Sequence, residues 1–222
     1  MTSRNLNRSY SLIVSKLSLD QIVQFEVSSE AYYKKALSHP IWPGAESGVT
    51  IGIGYDLGYH SGSSVRSDWE GKISDSDLND LLEVVGLKKE AAKNSIRGIK
   101  HVTVPFESAK EVFYVATIPK YAKAALSAYP GIDMLPADAQ GALLSLVFNR
   151  GSRMSGSSRA EMKAIQQLVI GGDLSGISDQ ILSMKRLWDI NKLPGLHKRR
   201  DIEADLVANA RTSYDTDELM HV

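Results

Sequence analysis

The chain has 222 residues, 43% of them hydrophobic, and its 26 basic and 26 acidic side chains cancel to a formal net charge of zero. This length suffices to bury a core in one large domain or in a domain with two lobes. The balanced charge gives no argument for binding nucleic acid or an anionic membrane surface. The chain has no cysteine, which excludes disulfides and thiolate metal sites, and no segment approaches the ~18 apolar residues of a membrane span.

The first helix carries a candidate catalytic acid. Residues 1–17 are polar and predict an N-terminal extension, after which Ser18 and Gln21 resemble a capping box that opens a helix. Leu19, Ile22, Val23 and Glu26 follow at i, i+3, i+4 and i+7, so Glu26 is predicted on the stripe that faces the core. A carboxylate there is costly unless it is paired or keeps its proton. The alternative interpretation is a structural residue held in a salt bridge.

A loop and a glycine-rich hairpin come next. Residues 38–48 form a loop set by two prolines and a glycine, and its Trp42 either stacks on a sugar or plugs the core. Apolar side chains alternate through residues 49–53, while glycines interrupt the run at 48, 52, 54 and 58. A chain reversal near Ile53 would bring Thr50 and Asp56 onto facing strands, with Cβ atoms roughly 5 Å apart.

The remainder is predicted to be helical. Residues 59–65 are rich in Gly and Ser and predict a loop, and helices are expected near 75–85, 88–97, 105–128, 136–150, 159–171, 175–190 and 196–210. The helix at 136–150 is apolar almost all round, which is typical of a central buried helix. The tail 211–222 is polar and predicted to be loose. Together these elements predict a mostly helical α+β fold with two lobes and a cleft, spanning residues 18–210.

A carboxylate on a helix, followed by a Thr/Asp pair on a hairpin, fits a glycosidase. Such an enzyme needs one carboxyl that keeps its proton and serves as the acid, which partial burial of Glu26 would favour. It also needs an ionised group that activates water or stabilises the cationic sugar, for which Asp56 and Thr50 are the candidates. The pattern alone is weak, because any chain offers many pairs of acidic residues.

Three blocks of sequence resemble the phage T4-type lysozymes. Glu26, Tyr33 and Thr-Ile-Gly-Ile-Gly at 50–54 resemble the family's active-site segment. Residues 143–151 resemble its central-helix signature, and residues 195–200 with Glu203 resemble its C-terminal signature. The T4 type carries its catalytic Asp six residues before the Thr, where this chain has Gly44. The order here, Glu then Thr then Asp, resembles the pesticin-like muramidase domains.

The resemblance implies a lysozyme-like fold and a muramidase that cleaves the β-1,4 bond between N-acetylmuramic acid and N-acetylglucosamine in peptidoglycan. The implied catalytic residues are Glu26, Thr50 and Asp56, with Glu46 as the fallback for the second carboxylate. Tyr55 stands where the T4 type has His. The expected substrate-binding residues are Trp42, Glu46, Tyr55, Asn149 and Arg150, the last two of which are equally explained as a helix C-cap and a surface ion pair.

The basic run Lys198-Arg199-Arg200 predicts a solvated helix face, although Arg199 or Arg200 could pair with Glu26 and orient it.

We expect no cofactor and no metal, because the histidines at 39, 60, 101, 197 and 221 lack metal-ligand spacing. The alternative function is a glycan-binding module without catalysis.

The expected partners are peptidoglycan and a cognate inhibitor or delivery apparatus. Without a signal-peptide pattern, we expect synthesis in the bacterial cytoplasm and action on periplasmic or cell-wall peptidoglycan, as an effector, bacteriocin or phage lysis protein.

Overall fold

The computed structural model describes residues 11–222. This part of the chain divides into two compact units, one formed by residues 11–20 with 120–222 and the other by residues 21–119. Most residues are helical, and the strands form small antiparallel pairs. The predicted class, α+β and mostly helical, is confirmed. Within residues 11–222, no helix is both long and apolar enough to cross a membrane.

The elements follow one another in this order: β1 (Ile13–Ser15), α1 (Lys16–Val27), α2 (Glu30–Ala36), β2 (Thr50–Ile51), β3 (Tyr55–Asp56), α3 (Gly62–Trp69), α4 (Asp75–Leu82), α5 (Lys89–Ile99), α6 (Phe106–Val112), a π-helical segment (Phe113–Thr117), α7 (Ile118–Ala128), α8 (Ala137–Arg150), α9 (Ala160–Gly171), α10 (Leu174–Ser183), α11 (Pro194–Ala208) and β4 (Leu219–His221). Short 3₁₀ turns lie at Leu57–Tyr59, Ile132–Met134, Ser157–Arg159, Met184–Leu187 and Thr216–Glu218.

The two ends of the described chain pair with each other. Strand β1 lies antiparallel to β4, with Val14 opposite Met220, and Leu12 exchanges both backbone hydrogen bonds with Val222 at 3.0 Å. The tail is further held by Tyr214, whose hydroxyl donates to Asp138 at 2.9 Å. The prediction of a loose tail is therefore wrong, because a short strand at its end finds a partner that the polar sequence does not reveal. Residues 1–10 of the predicted extension lie outside the described residues.

Helix α8 is the buried helix of its unit, as predicted. Every side chain from Ala137 to Val147 is buried, and Gly151 ends the helix with φ 73°. The helix also packs closely against the start of α1, since a Cβ added at Gly141 would lie 1.8 Å from the Ser18 hydroxyl. A larger residue at 141 would therefore displace α1 or α8.

Helix α1 begins earlier than predicted. Its first residue is Lys16, and the Ser15 hydroxyl accepts from the Ser18 amide at 3.2 Å, so Ser15 performs the capping that the sequence assigned to Ser18. The loop predicted at 59–65 is also wrong in its second half. Ser61 and Ser64 form a capping box that opens α3 at Gly62, because serines that favour loops also favour helix N-termini.

Candidate functional site

The predicted hairpin is present, and its two strands bring the candidate residues together. Strand β2 pairs antiparallel with β3 in the register Thr50 opposite Asp56 and Ile51 opposite Tyr55. Ile41 extends this ribbon on its other side, exchanging backbone bonds with Thr50 at 3.0 and 2.8 Å. The turn residues Gly52 and Gly54 adopt φ of 57° and 69°, which glycine tolerates without strain. The expected opposition of Thr50 and Asp56 is confirmed.

The Asp56 carboxylate anchors the hairpin. Oδ1 accepts from the Gly48 amide at 3.0 Å and from the Gly58 amide at 2.8 Å, and Oδ2 accepts from Gly48 at 3.2 Å. Asp56 thereby caps the short 3₁₀ turn that follows it. Since Oδ2 takes part in a single long bond, it retains the larger capacity to accept from a water or a sugar hydroxyl.

Thr50 presents a side chain with unused hydrogen-bonding capacity. Its backbone forms hydrogen bonds with Ile41 and pairs with Asp56 across the hairpin, and 9% of its surface is exposed. Its hydroxyl makes no hydrogen bond to any residue within 11–222. A hydroxyl can donate one bond and accept two, so Thr50 is equipped to hold a water beside Asp56.

Glu26 does not lie where the sequence placed it. Leu19, Ile22 and Val23 are buried as predicted, but Glu26 is exposed and the buried position is Val27, one residue later. Glu26 stands in the last turn of α1, where a carboxylate reaches water at less cost than burial would impose. The expectation that Glu26 is partly buried is therefore wrong.

Trp42 and Glu46 lie on the loop before the hairpin. The Trp42 indole N–H donates to the Ser47 carbonyl at 3.1 Å, and the Lys93 ammonium lies 5.6 Å from its ring centre. Trp42 is half-buried, so part of the ring is open to a ligand. Glu46 is exposed and pairs with Lys89 at 2.9 Å, which is the geometry of an ordinary surface ion pair.

Tyr55 is a core residue, which corrects its expected contact with substrate. Only 3% of it is exposed, its ring stacks on His60 at 4.0 Å, and it meets Trp69 edge-on at 5.5 Å. Its hydroxyl donates to Asp68 at 2.6 Å. Burial and the neighbouring Asp68 raise the Tyr55 pKa. Strand alternation explains the outcome, because Tyr55 points to the face opposite to Asp56.

Asn149 and Arg150 belong to the other unit, at the end of α8. Asn149 Oδ1 accepts from Arg200 at 3.3 Å, and Arg150 donates to the Ser158 carbonyl while its guanidinium lies 4.9 Å from the Trp188 ring centre. Burial, with the repulsion of Arg159 and Arg200, lowers the Arg150 pKa to about 10. Both side chains thus have structural partners, although these are not the helix C-cap and the surface ion pair that the alternative interpretation named, since Gly151 is the C-cap and Arg150 contacts a carbonyl and a ring.

The basic run of α11 is not a solvated face. Lys198 is exposed, but Arg199 and Arg200 are buried and bind Glu203, at 3.2 and 2.7 Å. The Ser145 hydroxyl donates to the same carboxylate at 2.6 Å. A run of three basic residues on a helix turns through about 200°, so its members face different surroundings.

Several residues of this region were not found from the sequence. Gly48 and Gly58 are needed for close approach, since a Cβ on Gly48 would lie 2.5 Å from Asp56 Oδ1 and from the Gly58 backbone. Lys88 lies 3.6 Å from the Tyr59 ring centre and covers the same end of the hairpin. The alternating glycines indicated a close approach of the two strands, whereas no pattern in the sequence indicated that Lys88 would lie beside the hairpin.

A possible metal-ligand set and a cavity also lie in the unit of residues 21–119. Asp77, Asp80 and His101 place donor atoms within 4.8 Å of one another, and His101 already pairs with Asp80 at 2.9 Å. Asp77 and Asp80 both lie on α4, but His101 follows α5, so the spacing in sequence does not reveal the set. A separate cavity of about 420 Å³ is lined by Glu30, Tyr33, Lys34, Ser38 and residues 103–107. Glu26, Thr50 and Asp56 do not line it.

Part of the chain matches a known family model. Residues 24–130 match the model of a family described as a domain of unknown function (DUF8812). The match covers slightly less than half of the chain, and it contains Glu26, Thr50 and Asp56 but not Asn149, Arg150 or α11. No curated protein matches the chain.

Proposed function

We propose that this protein is a lysozyme-like muramidase that hydrolyses the β-1,4 bond between N-acetylmuramic acid and N-acetylglucosamine in peptidoglycan. The observation that carries the proposal is the opposition of Thr50 and Asp56 on a glycine-rich hairpin that follows the Glu26 helix. The resemblance to T4-type and pesticin-like muramidases supplies the substrate and the fold. The three candidate residues lie within the segment that matches a single family model.

In this proposal Glu26 is the general acid. It donates its proton to the glycosidic oxygen as the bond to the anomeric carbon breaks. Glu26 is exposed in the free protein, where a glycan bound along the hairpin would cover it. Sugar rings that cover a carboxyl displace its water and disfavour the charged form.

Asp56 and Thr50 act on the nucleophilic water. Thr50, whose hydroxyl has spare capacity, positions the water, and Asp56 Oδ2 accepts its proton while Oδ1 stays bound to the backbone. Attack from the face opposite to the leaving group inverts the anomeric carbon. Inverting glycosidases hold their two carboxyls roughly 6.5–9.5 Å apart, which leaves room for that water.

The decisive experiment measures release of soluble muropeptides and new reducing ends from purified peptidoglycan. Glu26→Gln removes the transferable proton and should abolish turnover, and the matched control is Glu30→Gln. Glu30 lies four residues away, exposed, in an i,i+4 pair with Lys34 at 2.6 Å, and its replacement should leave turnover intact. Equal activity of wild type and Glu26→Gln would exclude this mechanism.

A glycan-binding module without catalysis is the second candidate. The observation in its favour is that Asp56 is already engaged by two backbone amides, which explains its presence without any chemistry. Sedimentation with insoluble peptidoglycan separates the candidates. A muramidase whose Glu26→Gln variant stays folded should sediment with the polymer and release nothing, whereas a binding module sediments and releases nothing even as wild type.

The biological setting follows from the substrate. In this proposal the hydrolase acts as an antibacterial effector, bacteriocin or phage lysis protein, and the first two settings call for a cognate inhibitor. Expression in the periplasm of a bacterium, compared with expression in its cytoplasm, tests this setting. Lysis in the periplasm that Glu26→Gln prevents is the expected result.

A further inference from the structure

Two aromatic side chains lie beside the hairpin, and the polar atom of each is fixed by a hydrogen bond. The Trp42 indole donates to the Ser47 carbonyl at 3.1 Å, and the Tyr59 hydroxyl donates to the preceding carbonyl, that of Glu46, at 3.3 Å. Trp42 is half-buried, whereas 63% of Tyr59 is exposed. Aromatic rings that combine an anchored polar end with an open face are enriched at binding surfaces.

Three lysines lie around the same loop, and they differ in their partners. Lys89 and Lys93 each pair with a carboxylate, at 2.9 and 3.0 Å. Lys88, in contrast, pairs with no carboxylate within residues 11–222. Its ammonium instead lies 3.6 Å from the centre of the Tyr59 ring. Of the three charges, that of Lys88 is therefore the one left for a ligand.

Lys88 is also held in position. Its backbone forms an antiparallel bridge with Gly48, and the amide of the next residue, Lys89, donates to the Ser47 carbonyl at 3.0 Å. The cation–π contact with Tyr59 fixes the other end of the side chain, and Lys88 is half-buried as a result. An ammonium that is already fixed loses less side-chain entropy when it binds a ligand.

Lys88 and Tyr59 adjoin the backbone that binds the candidate catalytic carboxylate. Gly48, which bridges to Lys88, donates its amide to Asp56 at 3.0 Å. Gly58, which precedes Tyr59, donates its amide to Asp56 at 2.8 Å. A polymer that binds at Asp56 is therefore within reach of the Lys88 ammonium.

Peptidoglycan carries the group that such a lysine binds. Its muramyl residues bear carboxylates, in the peptide stem or, where the stem has been removed, on the lactyl group. A carboxylate accepts a charge-assisted hydrogen bond from an ammonium. We propose that Lys88, positioned by Tyr59, binds a muramyl carboxylate while the glycan occupies Asp56. This inference rests on the proposed function, and it adds a preference that a neutral glycan does not satisfy.

Sedimentation with insoluble peptidoglycan measures this contact without cleavage, in the Glu26→Gln background. One form of the polymer has its amino groups acetylated. A second form is acetylated and then converted to methylamides at its carboxyl groups with carbodiimide and methylamine. Lys88→Met should bind the acetylated polymer about tenfold more weakly than its parent, which is the loss of one charge-assisted hydrogen bond. Lys88→Met and its parent should bind the methylamide polymer equally.

Two further variants separate the charge of Lys88 from its part in the fold. Lys88→Arg keeps the positive charge over Tyr59 and should retain most of the affinity. Lys100→Met is the matched control, because Lys100 is exposed in the same unit and pairs with no carboxylate in the described chain. Circular dichroism checks that each variant folds. Equal affinities of Lys88→Met and Lys100→Met for the acetylated polymer would overturn the proposal.

Amidase treatment distinguishes the two sources of the carboxylate. The treated polymer lacks the peptide stem but keeps the lactyl carboxylate. An effect of Lys88→Met that persists on this polymer assigns the contact to the lactyl group, and an effect that is lost assigns it to the stem.

Turnover by the protein with Glu26 intact tests the muramidase proposal separately. Turnover together with equal binding of Lys88→Met and its parent would reject the Lys88 contact alone. Binding that depends on Lys88, without any turnover, would reject the muramidase alone. A parent protein that sediments with neither form of the polymer would contradict both.

Discussion

The Gly48 amide donates to both carboxylate oxygens of Asp56, at 3.0 and 3.2 Å, across the open end of the hairpin. The residue that the proposed mechanism uses for chemistry therefore also fixes the geometry of its own strand. Replacements at either residue affect folding and turnover together, and the predictions below separate the two effects.

Gly48→Ala should destabilise the protein by about 1–3 kcal/mol, because the added Cβ meets Asp56 and the Gly58 backbone at 2.5 Å. Gly98→Ala is the control. Gly98 lies in α5 with nothing within 4 Å of its added Cβ, and alanine there should stabilise by about 0.5–1 kcal/mol. Urea unfolding measures both changes. Equal stability of the two variants would show that the backbone near Gly48 accommodates the added Cβ without loss of unfolding free energy.

Replacements of Asp56 separate its structural role from its catalytic one. Asp56→Ala removes the acceptor of two amides and should cost about 1–3 kcal/mol. Asp56→Asn keeps one carbonyl oxygen and should cost less, yet it cannot accept a proton from water and should lose turnover. Unfolding curves and muropeptide release are measured on the same samples. A folded Asp56→Asn variant with wild-type turnover would show that Asp56 anchors the hairpin but takes no part in catalysis.

Glu203→Gln should destabilise the protein strongly. Glu203 is 0% exposed and is bound by Arg199 and Arg200, so its loss removes a carboxylate that two buried guanidiniums share. Breaking a buried pair in this way costs about 3–5 kcal/mol. Glu90→Gln, which breaks the exposed pair with Lys93, should change stability by less than about 1 kcal/mol. Denaturant unfolding measures both variants, and similar losses of unfolding free energy for Glu203→Gln and Glu90→Gln would contradict the importance assigned to burial.

Three buried tyrosines predict a loss of stability at alkaline pH. Burial raises the pKa of Tyr33, Tyr55 and Tyr129 in the folded protein. The unfolded chain loses these protons near pH 10, while the folded chain keeps them, so the free energy of unfolding should fall as pH rises above about 10.

Absorbance at 295 nm during a pH titration measures the ionisation of these tyrosines. The folded protein should show at least three fewer phenolate groups at pH 11 than the same protein in urea, because the Tyr214 pKa is raised as well. Tyr55→Phe should reduce that difference by one. A titration in which folded and unfolded protein coincide would contradict the burial of these rings.

A chain ending at Glu218 should lose the pairing of β1 and β4 and uncover Leu12 and Val14, which are fully buried. Burial of an aliphatic side chain is worth about 1.5–3 kcal/mol, so the truncated protein should melt at a lower temperature. Hydrogen exchange should also show faster exchange at the Leu12 amide. His221→Ala is the control, because it keeps the backbone pairing and removes an exposed side chain. Unchanged melting of the truncated chain would show that the tail adds no stability.

Local patterns in the sequence determined much of this fold. Alternation and glycine placed the hairpin and opposed Thr50 to Asp56, since a strand period and a turn signal act over a few residues. The continuous apolar stretch marked α8 as the buried helix, with Gly151 at its end. Capping signals were less decisive, because Ser15 and Ser61 resemble the serines of any loop.

Burial, charge and long-range partners were decided by the tertiary structure. Glu26 has the helical phase of a buried residue but lies in the last turn of α1, where it reaches solvent. Arg200 looks like one member of a surface run, yet α8 and Glu203 enclose it completely. The tail became ordered through a strand some 200 residues away in sequence. Such outcomes depend on which distant segments of the chain contact each other. The period of a helix or a strand indicates which face is apolar, but not which distant segment packs against that face.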